Sequence, residues 1–210
     1  MVVRCSLQNL SLSTSRISAP RVEMSLMEVC AVGLAVAYVL LAVYQRRLCW
    51  IAAIASAALY IVIFWQVQLY LEAALQVFYI AMAIYGWFAW SRTPDPVESI
   101  RTWPPRHHLV ACLLLLILSL ATGAAMSAVT DAASPFVDAA TTVSALLATW
   151  MVANKLLENW LYWIAIDIAS VGLYLSRDLT LTAILFAGYV VLAGWGYLTW
   201  RKQWTNQLSA

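Results

Sequence analysis

The sequence predicts an all-α polytopic membrane protein: seven transmembrane helices in a 3+1+3 arrangement, two parallel three-helix repeats joined by a linker helix. Three observations carry this. The first is composition. Hydrophobic residues make up 64% of the 210 residues and charged residues 10%, against about 45–50% and about 25% in soluble domains. Mean hydropathy is +0.81. A soluble globular enzyme, a disordered chain and a nucleic-acid binder, which would show a clustered basic face, are all excluded. The second is the length of the apolar runs, near the roughly 20 residues a helical span needs. They lack two-residue alternation, which excludes a β-barrel. The third is that the two ends of the chain resemble each other.

A polar head, residues 1–24, comes first. Residues 1–22 hold Arg4, Arg16, Arg21, five serines and no acid, a composition resembling a transit peptide. Met24 and Met27 stand just before the first apolar run, so the head is expected to be an over-called start or a disordered tail. Spans follow at 25–44, 48–65, 69–90, 108–128, 136–153, 159–176 and 179–200. Four of the six prolines, Pro94, Pro96, Pro104 and Pro105, fall within 92–106, the only long polar loop. Pro135 opens the fifth span, where its missing N–H costs least. No proline lies inside a span, so no proline-broken helix is expected. Lys and Arg in the short loops set orientation. One side carries Arg46, Arg47, Arg92, Arg101, Arg106, Lys155, Arg201 and Lys202; the other carries Arg177 and the head arginines. The first side is expected to be cytoplasmic, with the N-terminus outside and a cytoplasmic tail at 203–210.

The repeat is visible in YGWFAW (85–90) and WGYLTW (195–200). Gly86 matches Gly196, Trp90 matches Trp200, and Tyr79 matches Tyr189 at the same offset. Upstream, CWIAAIASAALY (49–60) resembles YWIAIDIASVGLY (162–174) with one gap, which pairs Trp50 with Trp163. Units at 25–91 and 135–202 follow, separated by a loop and linker helix at 92–134. One linker span makes the two units parallel. Parallel repeats are a known way to build a transporter, with its site between them near the midplane.

Helical spacing then collects the polar residues. On the third span Glu72, Gln76, Tyr79, Gly86, Trp87 and Trp90 share one side, and on the sixth Asn159, Trp163, Ile166, Asp167, Ser170 and Tyr174 do the same. Polar groups in hydrocarbon are costly, so these sides face the bundle interior or a wet cavity. Asp167, near mid-span, reads as a functional carboxylate or as an interior hydrogen-bonding group. Glu72, within a turn of its helix start, reads equally as a cap or a substrate contact. Of eleven Trp, most are expected in interfacial belts: Trp50, Trp65, Trp103, Trp150 and Trp204, with Trp90 and Trp200 at cytoplasmic span ends. Trp163 differs, sharing a face with Asn159 and Asp167, and is expected to line a pocket.

Cys5, Cys30, Cys49 and Cys112 show no C-x-x-C spacing and read as small hydrophobes. His107 and His108 read as interfacial. No metal site or other cofactor is expected. There is no Ser/His/Asp set, no H-E-x-x-H and no phosphate-binding loop, so neither catalysis nor ATP hydrolysis is expected. What remains is aromatic faces, carboxamides and one or two carboxylates. Aromatic faces attract cations, and Asn and Gln offer donors and acceptors. Such a set suits a planar ring, cationic or neutral, bearing hydroxyls and an amide. Every Lys and Arg lies in a loop or at a span end, so a phosphate would meet no cation midway. A nucleoside is favoured over a nucleotide.

At these residues the chain resembles a known family. ENWLYWIAIDIASVGLYLSRDLTLTAILFAGYVVLAGWGYLTW (158–200) is similar to the C-terminal signature of the PnuC family of bacterial nicotinamide riboside transporters. LEAALQVFYIAMAIYGWFAW (71–90) resembles the matching segment of the first half, and DAATTVSALLATWMVANKLLENW (138–160) the fifth helix and its loop. The resemblance covers roughly 25–202. It implies a fold like that of the SWEET sugar transporters, a homotrimer in the bacterial inner membrane and facilitated diffusion of unphosphorylated nicotinamide riboside. It further suggests that Asn159, Trp163 and Asp167, with Gln76, Tyr79 and Trp87, contribute to the substrate site or its gates. Thr149 stands where many relatives carry Gln. Family members also carry other vitamins, so thiamine or riboflavin are alternative substrates. A membrane-embedded binding subunit that needs an ATPase partner is the alternative of another class.

Overall fold

A computed structural model describes residues 20–66, 70–91, 100–129, 134–176 and 180–209. It contains seven helices: α1 (Pro20–Val43), α2 (Leu48–Gln66), α3 (Tyr70–Ser91), α4 (Pro105–Val129), α5 (Pro135–Ala153), α6 (Asn159–Leu175) and α7 (Thr180–Ser209). Each expected span is present, most with ends displaced by no more than a few residues. Among the described residues, six helices are long and apolar enough to cross a membrane. Helix α6, with 17 residues, sits at the short end of the usual range of about 17–25. Prolines open α1, α4 and α5, and no described helix is interrupted by one. Two departures concern helix ends. α1 begins at Pro20, inside the expected head, whose residues 1–19 lie outside the described residues. α7 continues to Ser209, so most of the expected tail is helical.

The chain divides into two compact units, 1–94 and 95–210. In the first, α1 packs on α2 and α2 on α3. Small residues let these helices approach closely, which is how helices associate where lipid is as apolar as the core. Ala31 of α1 and Ala73 of α3 join Tyr60, Ile63 and Phe64 of α2 in one buried cluster. The Ser56 hydroxyl donates to the Ala31 carbonyl across α1 and α2 at 2.9 Å. In the second unit α4 packs on α5, α5 on α6 and α6 on α7. Gly123 of α4 lies against the Phe136 ring of α5, with no room for a Cβ.

The two units repeat each other down to single hydrogen bonds. In the α1–α2 turn, Gln45 N–H donates to Ala42 and Arg46 N–H to Leu41, at 3.0 and 2.9 Å. In the α5–α6 turn, Lys155 N–H donates to Val152 and Leu156 N–H to Met151, both at 3.0 Å. Each pair is a Schellman closure, which needs a left-handed residue one past the helix end. Gln45 and Lys155 supply it, each at φ 52°. Beyond the turn, an indole fills the same place in each unit. Trp50 packs edge-to-face on Trp90, centroids 5.3 Å apart, and Trp160 on Trp200 at 5.5 Å. Gly86 lies under Trp50 and Gly196 under Trp160.

These pairs share one offset of 110 residues, which corrects the register read from sequence. The counterpart of Trp50 is Trp160, not Trp163. The offset runs without a gap through α2 and α6, and the similarity of 49–60 to 162–174 is out of structural register. Three belt assignments are corrected as well. Trp50, Trp90 and Trp200 are 1%, 4% and 0% exposed, because each indole closes over a glycine or a second indole inside its own unit. Trp65 and Trp150 remain exposed, as a belt position requires.

Candidate functional site

The constant offset separates what the packing needs from what it does not. Apolar buried positions recur in both units: Ala35 with Ala145, Ala73 with Ala183, Ala83 with Ala193, Ile63 with Leu173. At three equivalent buried positions only one unit is strongly polar. Asn159 stands opposite Cys49, Asp167 opposite Ala57, and Gln76 opposite Phe186, all deeply buried. The same scaffold therefore forms with small or apolar residues there, and the polar groups serve something other than packing.

In the second unit these groups lie along α6. Asn159 is its first residue and is fully buried; its amide donates to the Leu156 carbonyl at 2.5 Å. Its Oδ1 is buried with no hydrogen-bond partner, an acceptor left open. Asp167 is buried on the same helix. At 1.5 Å per residue it lies about 12 Å further along the axis, so the two do not touch each other. Among the described residues no ion pair or hydrogen bond reaches the Asp167 carboxyl. Tyr189 of α7 is the neighbour that feels its charge, and the Tyr189 hydroxyl is itself buried without a hydrogen-bond partner. Trp163 falls between Asn159 and Asp167, four residues from each, and is half-buried. Residues four apart on a helix are side-by-side neighbours, so the ring can form one wall beside the carboxyl.

In the first unit the expected residues share α3. Gln76 and Tyr79 are buried one turn apart. Trp87 is half-buried near the end of the helix, where the Arg47 guanidinium lies 4.4 Å from its ring centroid. Trp87 is thus already stacked by a cation of its own unit. Of the six expected residues, each unit positions three along one helix. Glu72 lies in the first turn of α3, as a cap would. The Thr149 hydroxyl is buried and donates to the Ala145 carbonyl at 2.7 Å.

Several residues of the second unit escaped the sequence reading. His108 is not a bare interfacial residue. Its Nδ1 shares a 3.1 Å hydrogen bond with the Tyr162 hydroxyl, and its Nε2 lies 3.8 Å from Glu158 Oε1. The same carboxylate oxygen accepts the Trp103 backbone N–H at 3.1 Å. Arg101 and Leu156 form a parallel β-bridge, and the Gln207 amide of α7 donates to the Ile100 carbonyl at 3.3 Å. The segment 100–103 is therefore a strap fastened to the α5–α6 turn and to the far end of α7. Lys155, expected as a loop cation, is buried in that turn. The partners are about fifty residues apart in sequence, or 107 for Gln207 and Ile100, and no local motif announces them. The signal that could have found Trp160 was present: the Tyr, Gly and Trp matches already fix the offset.

Comparison with known proteins places this architecture. A family model described as nicotinamide mononucleotide transporter matches residues 25–202. The nicotinamide riboside transporter PnuC of Escherichia coli (strain K12) is 28% identical over 146 residues, 57% of this chain and 61% of the relative. The riboflavin/roseoflavin transporter RibM of Streptomyces davaonensis is 27% identical over 137 residues, 61% of this chain and 63% of the relative. The chain thus matches under two thirds of the length of either. A crystal structure of the vitamin B3 transporter PnuC shares the fold with a TM-score of 0.69 at 18% identity, covering 88% of this chain and 84% of that one. The apolar helices, the duplicated unit and the match over nearly the whole chain lead to one conclusion: this is a multi-pass membrane protein that belongs to the nicotinamide mononucleotide transporter family.

Proposed function

We propose that the chain takes up nicotinamide riboside by facilitated diffusion, as a bacterial inner-membrane transporter with its N-terminus outside and its C-terminus in the cytoplasm. It is not an enzyme on this reading. Its two repeats, in the 3+1+3 arrangement, rock around a midplane pocket, and the working form is a homotrimer. Asn159, Trp163 and Asp167, with Gln76, Tyr79 and Trp87, contribute to the pocket or its gates. The ring stacks on Trp163, and the ribose hydroxyls and the amide bond to Asn159, Gln76 and Asp167.

The observation that carries the reading is the polar face of α6. It buries an asparagine with an open acceptor and a carboxyl, at positions where the duplicate unit manages with Cys49 and Ala57. Polar groups kept in hydrocarbon without a packing need mark a substrate path. The same face argues for the riboside over the mononucleotide. Of the described lysines and arginines of the second unit, Arg101 sits in the strap, Arg106 at the start of α4, Lys155 in the α5–α6 turn, and Arg201 and Lys202 in the last three turns of α7, so a phosphate midway along α6 would lack a partner. The names of the family model and of the Escherichia coli relative differ on this point, and the charge distribution favours the riboside.

Purified Asn159→Ala and Trp163→Ala variants, reconstituted at matched levels, test the assignment. Riboside uptake falls at least about tenfold in each, the loss expected when a buried polar partner or stacking ring worth about 1.4 kcal/mol is removed. Uptake at the parent's rate in both would overturn it. A second reading, riboflavin as substrate, is favoured by the similarity to RibM; competition by riboflavin against labelled riboside separates the two.

A further inference from the structure

We infer that Asp167 is the counter-charge that makes the site select an aromatic cation over a neutral ring of the same shape. The inference rests on the nicotinamide riboside reading and adds a specificity determinant to it. The duplicated unit supplies an internal control. Position 57 in α2 is equivalent to position 167 in α6; it is buried to the same degree and holds alanine. A buried tyrosine is kept at the equivalent position of α3 and α7, as Tyr79 and Tyr189. The repeat unit therefore forms with alanine at this place, without a carboxyl.

A buried carboxylate is retained where something pairs with it. The groups of the second unit that could do so are displaced. Lys155 and Arg101 belong to the α5–α6 turn and its strap, and His108 is engaged by Tyr162 and Glu158. Lys155 sits in the turn before α6, and Asp167 lies eight residues, about 12 Å, past the first residue of that helix. The neighbour that feels the Asp167 charge is the Tyr189 phenol, which is neutral and lacks a hydrogen-bond partner. Among the described residues of the second unit no cation forms an ion pair with this carboxyl, and the half-buried Trp163 ring flanks it on its own helix. A pyridinium fits this pair: its face takes the indole, and its charge takes the carboxylate. A neutral aromatic takes only the indole.

The test uses two ligands related by addition of one hydride, which removes the positive charge. Nicotinamide riboside is cationic; its 1,4-dihydro form is neutral and keeps the sugar and the carboxamide. Binding of both to the purified full-length protein is measured by thermal stabilisation and calorimetry. The parent is expected to bind the cation at least about tenfold more tightly, and in Asp167→Ala the ratio of the two affinities falls to near one. Asp167→Glu keeps the preference. Equal affinities in the parent, or an unchanged ratio in Asp167→Ala, would overturn the inference while leaving the riboside reading intact. Failure of the parent to bind either ligand would overturn both. If Asp167→Ala does not fold, the carboxyl is structural and the inference falls.

Discussion

An indole resting on a glycine gives the most exacting stability prediction. A Cβ added at Gly196 would lie 2.6 Å from Cε3 and Cζ3 of Trp160. Carbon atoms prefer about 3.5–4.0 Å, so the ring must retreat by about 1 Å. It has little room, since Trp160 is buried and its other side meets Trp200 edge-on. Overpacking of this kind costs about 1–3 kcal/mol. Alanine also gains about 1 kcal/mol of helix propensity over glycine, which would obscure the result in isolation. Gly194, two residues away in the same helix, removes the ambiguity, because a Cβ there meets nothing within 4 Å. The propensity gain is common to both, so Gly196→Ala and Gly194→Ala should differ by the packing term alone. In thermal unfolding that is a separation of roughly 2–12 °C, at about 2–4 °C per kcal/mol for a chain of this size. Pairing Gly196→Ala with Trp160→Phe should recover part of the loss, as contacting residues couple by about 0.5–3 kcal/mol. Equal melting of the two alanine variants would refute the packing argument, and with it the structural register of the repeat.

Two further stability predictions follow from polar contacts. Glu158→Ala strips the acceptor from the Trp103 N–H and the partner from His108, and should lower stability by about 1–3 kcal/mol. Glu158→Gln keeps an acceptor and should retain most of it; parent-like melting of both variants would show that the strap is not held there. Arg47→Ala should cost about 0.5–1 kcal/mol through loss of its stacking on Trp87. In a Trp87→Leu background the same change should be silent, and an unchanged effect would assign the stabilisation to another contact.

Much of this fold was readable in advance because the membrane imposes a length on its helices. Runs from Leu48, Pro135 and Asn159 could be bounded by hydropathy and prolines alone. What hydropathy cannot do is say which apolar residue faces protein and which faces lipid, since both surroundings are apolar. That is why Trp50, Trp90 and Trp200 read as belt residues and proved to be core. Local similarity misled in a related way. WIA recurs after Trp50 and after Trp163, yet packing on Gly86 and Gly196 selects Trp50 and Trp160 as the equivalent pair. The strap was invisible for another reason: Arg101, Trp103 and His108 meet Leu156, Glu158 and Tyr162 only through tertiary contact. The polar residues were the most legible part. Asn159, Asp167 and Gln76 stand out in apolar runs, and all three are buried as their cost in hydrocarbon demands. The duplication then adds what a single helix could not show, that their counterparts Cys49, Ala57 and Phe186 do the same packing without them.

The central claim is transport of the riboside by this chain alone. Its most direct test is uptake of labelled nicotinamide riboside into liposomes holding only the purified protein, without ATP, against its phosphorylated form, thiamine and riboflavin. Saturable uptake of the riboside, equilibrating at equal concentrations inside and out, is expected, with none of the phosphorylated form. Uptake of the phosphorylated form at a comparable rate would contradict the charge argument, and no uptake of the riboside at all would contradict the claim itself.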